Sequence, residues 1–129
     1  MDAAIEKLQA AVRLDPSFVA ARNKLGAYLL DQGKVHEAEE QFREALHWNP
    51  NSEGVLYNMS LILDQQGKSD EALQNLERAN DLLPDDPRIM TALAAHIVKT
   101  DLVRARELLN RVLQIDPGNA EAKKMLRET

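Results

Sequence analysis

Three histidines and two acidic pairs are the residues of this 129-residue chain whose types first invite a chemical reading. A zinc site carried on one helix needs ligands at i and i+4, so that both point to the same side. His36 lies early in one helical stretch and His47 near its end, His96 falls on another, and no two of them form such a pair. The first two stand among polar neighbours and read as solvated surface, whereas His96 follows Ala94-Ala95 and reads as partly buried, with no ligand partner in sequence. General acid–base work would need carboxylates held in contrasting environments. Glu39-Glu40 instead lies beside Glu37 on a polar helix flank, and Asp85-Asp86 precedes Pro87 at a helix start, so both pairs read as structural. There is no Gly-rich phosphate loop, nucleophile elbow or calcium loop. The absence of cysteine removes disulfides, thiolate zinc sites and cysteine nucleophiles. The expectation is a non-enzymatic chain that uses neither metal nor cofactor.

The elements that would position these residues are helical. Aromatic residues make up 4% of the chain and charged residues 29%, and Ala, Leu, Glu and Arg are plentiful. That mix favours helices packed through small and aliphatic side chains over sheets, which want β-branched and aromatic residues. The net charge of −5 argues against nucleic acid as a partner, because phosphate binding needs a concentrated basic patch. No Lys/Arg cluster adjoins an apolar run, and the apolar runs fall far short of the roughly 20 residues of a membrane span. Met1 to Arg13 carry acids and no unbroken apolar core, unlike a signal peptide. The sequence assigns no compartment, a cytoplasmic one being slightly favoured.

Aligning Pro16, Pro50, Pro84 and Pro117, at intervals of 34, 34 and 33 residues, exposes a repeat. Twelve residues before each proline stands Ala4, Ala38, Ala72 or Ala105, and eight before stands Leu8, Phe42, Leu76 or Leu109. Five before stands Ala11, Ala45, Ala79 or Val112, and two before stands Leu14, Trp48, Leu82 or Ile115, a column read as packing between helices. Ala38, Phe42 and Ala45 follow the i, i+4, i+7 rule of one helix face. An earlier stripe holds Leu25, Gly26 and Leu29 in one unit and Met59, Ser60 and Leu63 in the next. Between the stripes, Gly33 and Gly67 can adopt the left-handed conformation that ends a helix. Each unit is therefore helix, tight turn, helix, with Gly26 and Ala38 where two backbones approach closely.

The 34-residue unit, the Leu-Gly pair, the Ala and Phe of the second helix and the closing Asp-Pro or Asn-Pro resemble the tetratricopeptide repeat, over nearly the whole chain. The resemblance implies an all-α right-handed solenoid of antiparallel hairpins: a half repeat (1–16), full repeats (17–50, 51–84, 85–117) and a capping helix (118–129). It also implies a concave, peptide-binding groove lined by the first helices. Carried over by column, that groove presents Asn23, Lys24, Ala27 and Leu30, flanked by Ala20 and Asp31; then Tyr57, Asn58, Leu61, Asp64 and Gln65; then Arg88, Thr91 and Ala95, flanked by Ala92, Val98 and Lys99. Asn23 and Asn58 can donate and accept towards a peptide main chain, and Tyr57 has the form of an interface anchor. Mixed charges argue for no strong choice between acidic and basic partners. The lysine, asparagine and arginine clamp by which chaperone-binding members hold a C-terminal carboxylate is missing. Its places are taken by Asn23, Ala27, Asn58, Arg88 and Ala92, of which Asn58 agrees outright and Arg88 partly substitutes for lysine. The asparagine ladder of the sugar-transferase arrays is absent too.

Three departures from the pattern stand out. Residues 2–14 form a second helix without its first, so Ala4, Leu8 and Ala11 should lack an upstream cover. This fits a piece of a longer array or a surface that pairs with a second molecule. The last hairpin lacks the turn glycine, and Thr100 or Asp101 is expected to cap the helix that follows. Arg127 stands where a small residue should follow Leu126, and the outer face of that segment is charged, as in a capping helix. The functional expectation is a scaffold binding a protein or peptide partner on its concave face. The alternative is an assembly module of a longer polypeptide, whose uncovered N-terminal helix drives self-association or docks onto the rest of that polypeptide.

Overall fold

In each hairpin the second helix is buried along three of the columns seen in its sequence, and the first helix supplies the opposing face. The structure, a computed structural model, describes residues 3–129. Met1 and Asp2, which open the half repeat 1–16, lie outside the described residues. The helices run α1 (Ala3–Leu14), α2 (Val19–Asp31), α3 (Val35–Trp48), α4 (Glu53–Gln65), α5 (Ser69–Leu82), α6 (Pro87–Ile97), α7 (Leu102–Ile115) and α8 (Ala120–Arg127). No strand occurs among the described residues. Helices α2/α3, α4/α5 and α6/α7 are the hairpins, α1 packs on α2, α8 packs on α7, and successive hairpins stack into an α-solenoid.

The turns follow from glycine. In the first hairpin Gly33 has φ +79°, and the Lys34 amide donates to the Leu29 carbonyl at 2.9 Å. Gly67 repeats this with φ +76° and a 2.8 Å bond from the Lys68 amide to the Leu63 carbonyl. These bonds satisfy carbonyls that the helix end leaves open. The third turn has no glycine. Its Asp101, not Thr100, is the cap, its carboxylate accepting from the Arg104 amide at 3.1 Å, while the Thr100 hydroxyl donates back to the Ile97 carbonyl. Asp86 caps α6 by accepting from the Arg88 amide at 2.9 Å, and Pro87 fills the first turn, where no N–H is needed.

The core is the set of repeat columns. Ala38, Phe42 and Ala45, Ala72, Leu76 and Ala79, and Ala105, Leu109 and Val112 are all 0% exposed. Their counterparts in α1 differ as expected of an unpaired helix: Ala4 is exposed, and Leu8 and Ala11 are half-buried. Helix α1 is held instead through Ile5, which is buried against the first core cluster with Leu8 and Val12 beside it. Ser60 takes the glycine's place in the second hairpin and is fully buried, its hydroxyl satisfied by donating to the Tyr57 carbonyl at 2.6 Å.

Two features depart from the sequence expectations. The column of Leu14, Trp48, Leu82 and Ile115 is not buried packing, since Trp48 is 50% and Leu14 88% exposed. Each is the last residue of its helix, where the chain turns away, so only part of its side chain meets a neighbour. Trp48 turns its ring edge-on to His47. Arg22, which no pattern singled out, is buried: its Nε donates to the Pro16 carbonyl at 2.7 Å and its Nη1 to Gln41 Oε1 at 2.9 Å. It ties the α1–α2 loop to α3.

Candidate partner-binding groove

Helices α2, α4 and α6 lie side by side because each is the first helix of its hairpin, so residues at matching turns face the same side. Polar contacts cross between them. Asn58 Nδ2 on α4 donates to Asn23 Oδ1 on α2 at 2.8 Å. His96 Nε2 on α6 meets Asp64 Oδ2 on α4 at 3.0 Å, so the partner that His96 lacks locally stands 32 residues away. The Arg88 guanidinium on α6 lies 5.3 Å from the Tyr57 ring centroid on α4. Asn23 and Asn58 spend part of their capacity on each other, so they form a linked pair and not two independent peptide hooks.

Three shallow depressions mark this face. Lys24, Ala27, Tyr28 and Asp31 line one of about 210 Å³ on α2. A second, of about 390 Å³, lies between α4 and α6, with Leu61, Asp64, Ala92, Ala95, His96 and Lys99 on its walls. The third, of about 360 Å³, is bounded by Tyr57, Leu61, Arg88, Thr91 and Ala92 and closed on its far side by Asp116, Asn119 and Glu121. Leu30 is half-buried against the first core cluster, and Gln65 is exposed and borders none of the three. Thr91 is buried, and its hydroxyl is spent on the Pro87 carbonyl at 2.6 Å, so it can offer a partner no free donor.

Arg88 is also less available than its charge suggests. Its Nη2 pairs with Asp86 Oδ2 at 3.1 Å and its Nε approaches Asp86 Oδ1 at 3.4 Å. Burial pushes the Asp86 carboxyl up, but the hydrogen bonds and charge of Arg88 outweigh it and hold that carboxyl below its ordinary value.

Sequence reading missed Tyr28, Asp116, Asn119 and Glu121. Glu121 had a signal: it stands four residues after Pro117, as Ala20 and Arg88 stand four after Pro16 and Pro84. Among the described residues no three His, Asp or Glu side chains are grouped to hold a metal ion, and no helix is long and apolar enough to cross a membrane.

Two family models described as tetratricopeptide repeat match residues 29–96 and 1–53. A stretch of 101 residues, 77% of this chain, is 28% identical to Protein O-mannosyl-transferase TMTC3 of Homo sapiens and covers 11% of it. Another of 100 residues, 75% of the chain, is 31% identical to the Protein CTR9 homolog of Arabidopsis thaliana and covers 9% of it. The chain thus spans about a tenth of the length of these curated relatives. Among solved structures, the first TPR of Spaghetti (RPAP3) bound to HSP90 peptide SRMEEVD superposes with a TM-score of 0.75 at 22% identity, over 85% of this chain and 88% of that one.

Proposed function

Because the chain belongs to the tetratricopeptide-repeat family, whose members mediate protein–protein interactions, we propose that its concave face binds an extended or helical segment of a partner protein. The role is that of a non-enzymatic scaffold. One observation carries the reading: α2, α4 and α6 bring half-buried apolar and polar side chains onto one grooved surface, and contacts such as Asn23–Asn58 and Asp64–His96 brace it across repeats. A braced groove loses little freedom on binding, which favours affinity. The similar Spaghetti domain holds a peptide, yet at this chain's clamp positions Asn23 and Ala92 offer no cation, so a different peptide chemistry is expected. An interface of this modest size supports affinity of roughly micromolar order.

The test is calorimetric titration with a captured partner segment, comparing the wild type with Asn58→Ala plus Leu61→Ala. Both residues are half-buried on the groove, and the melting temperature checks the fold. A loss of about tenfold or more is expected if the groove supplies a binding hot spot. Unchanged affinity in a folded variant would refute the reading.

A second reading, self-association through α1, is favoured by Leu14 at 88% and Phe18 at 47% exposure next to the half-open Leu8 and Ala11. Light scattering across a concentration series decides it: a constant monomer mass counts against this role.

A further inference from the structure

Resting on the groove reading above, we infer that the partner segment carries a lysine or arginine, seated beside Tyr57 and against the carboxylates of Asp116 and Glu121, next to an apolar residue that lies over Leu61 and Ala92. The depression between α4, α6 and the start of α8 has apolar walls in Tyr57, Leu61, Pro87 and Ala92, and its charges stand on the rim.

Those charges do not cancel. Arg88 is bound twice by Asp86, so the pair is neutral as a unit. Asp116 accepts only from the neutral Asn119 amide at 3.3 Å, and Asn119 in turn spends its Oδ1 on capping α8 at the Ala122 amide. Glu121 has no hydrogen-bond or ion-pair partner among the described residues and is exposed. It stands in the first turn of α8. With Arg88 and Asp86 offsetting each other, two carboxylates remain without a counter-charge.

A long basic side chain matches this arrangement in both of its parts. Its aliphatic stem packs along the apolar wall while its cationic head reaches the carboxylates at the rim. An acidic side chain would be repelled there. Leu61 and Ala92 line both this depression and its neighbour, so they form an apolar saddle between the two. On the far side of the saddle Lys99 is balanced by Asp64, and that depression makes no demand of the same sign. The even mixture of charges along the sequence therefore resolves, in space, into one acidic depression and two balanced ones, the second being that of Lys24 and Asp31 on α2.

The test is selection of a displayed library of random linear peptides on the full chain, followed by calorimetry and amide chemical-shift mapping with the enriched peptides. The expected result is a lysine or arginine at a fixed place beside an apolar residue, with shifts on α4, α6 and the start of α8. Asp116→Asn with Glu121→Gln should then weaken binding about tenfold, as should raised salt, since partly exposed ion pairs are modest and screened. Glu121→Lys should turn the selection towards acidic peptides. If the double variant melts early, Glu121→Gln alone and the wild-type salt series probe the same two carboxylates in a folded chain, and both should weaken binding. Peptides that map to the groove but show no basic preference, or bind the variants equally, would overturn this inference and leave the groove reading standing. Peptides that map elsewhere, or no enrichment at all, would overturn both.

Discussion

A Cβ added at Gly26 of α2 would lie 2.5 Å from Cε1 of Phe42 on α3. The ring fills the space that any other residue would need, so the Leu-Gly pair and the Phe column are two halves of one contact. The same columns in the next hairpin hold Ser60 and Leu76, a larger residue matched with a smaller one.

Gly26→Ala should therefore destabilise the chain by about 1–3 kcal/mol through overpacking, read as a lowered denaturation midpoint. Ala38→Leu, at a position with 0% exposure, should cost about the same. Phe42→Leu added to Gly26→Ala should recover part of the loss, because the second hairpin already tolerates that combination of sizes. Additive losses in the double variant would contradict the contact.

Gly33 and Gly67 need glycine for a different reason. Nothing lies within 4 Å of a Cβ at either, but both have positive φ. Gly33→Ala should cost about 1–2 kcal/mol from backbone strain alone. Gly33→Asn should cost less, since asparagine tolerates the left-handed region. Equal losses for the two variants in a thermal melt would argue against strain as the cause.

Arg104 on α7 grips Glu77 on α5 with two bonds, Nη1 to Oε2 at 2.8 Å and Nη2 to Oε1 at 2.7 Å. The hydrogen bonds from Arg104, opposed by some burial, hold the Glu77 carboxyl below its ordinary value. A carboxyl lowered on folding contributes its stability above the unfolded value and loses it as pH falls through the folded one. Both side chains are more than a third exposed, so solvent screening limits the pair to about 0.5–1 kcal/mol. Glu77→Gln should lower stability by that amount at neutral pH and make no difference once acid has protonated Glu77. A deficit that persists into acid would assign the effect to packing.

Arg22 bonds the Pro16 carbonyl and Gln41, so Arg22→Ala should cost about 1–3 kcal/mol by removing hydrogen bonds made by a charged, buried side chain. Gln41→Ala should cost less. A double-mutant cycle that finds the two losses fully additive would show that the residues are not coupled.

Much of the fold was legible because its instructions are local and repeated. Ala38, Phe42 and Ala45 announce a helix face by their spacing, Gly33 announces the turn, and the prolines announce the breaks. The Trp48 column misled because repetition records that a position is apolar, and not whether a neighbour still covers it at a helix end. Arg22 was hidden for the opposite reason: a charged residue on a buried stripe is tolerated only by partners, Pro16 and Gln41, that no periodicity marks. The groove columns on α2, α4 and α6 left out Asp116 and Glu121, which border the depression beside Tyr57.

By itself, then, the sequence determined the helices, their pairing into hairpins and the columns that form the core, because each depends on contacts within about one repeat. Which groove groups stay free was decided only by tertiary structure. The Asn23–Asn58 and Asp64–His96 contacts join residues 35 and 32 positions apart. They form only when one hairpin stacks on the next at a particular angle, and that angle, summed over many side chains, sets which charges cancel and which keep no counter-charge.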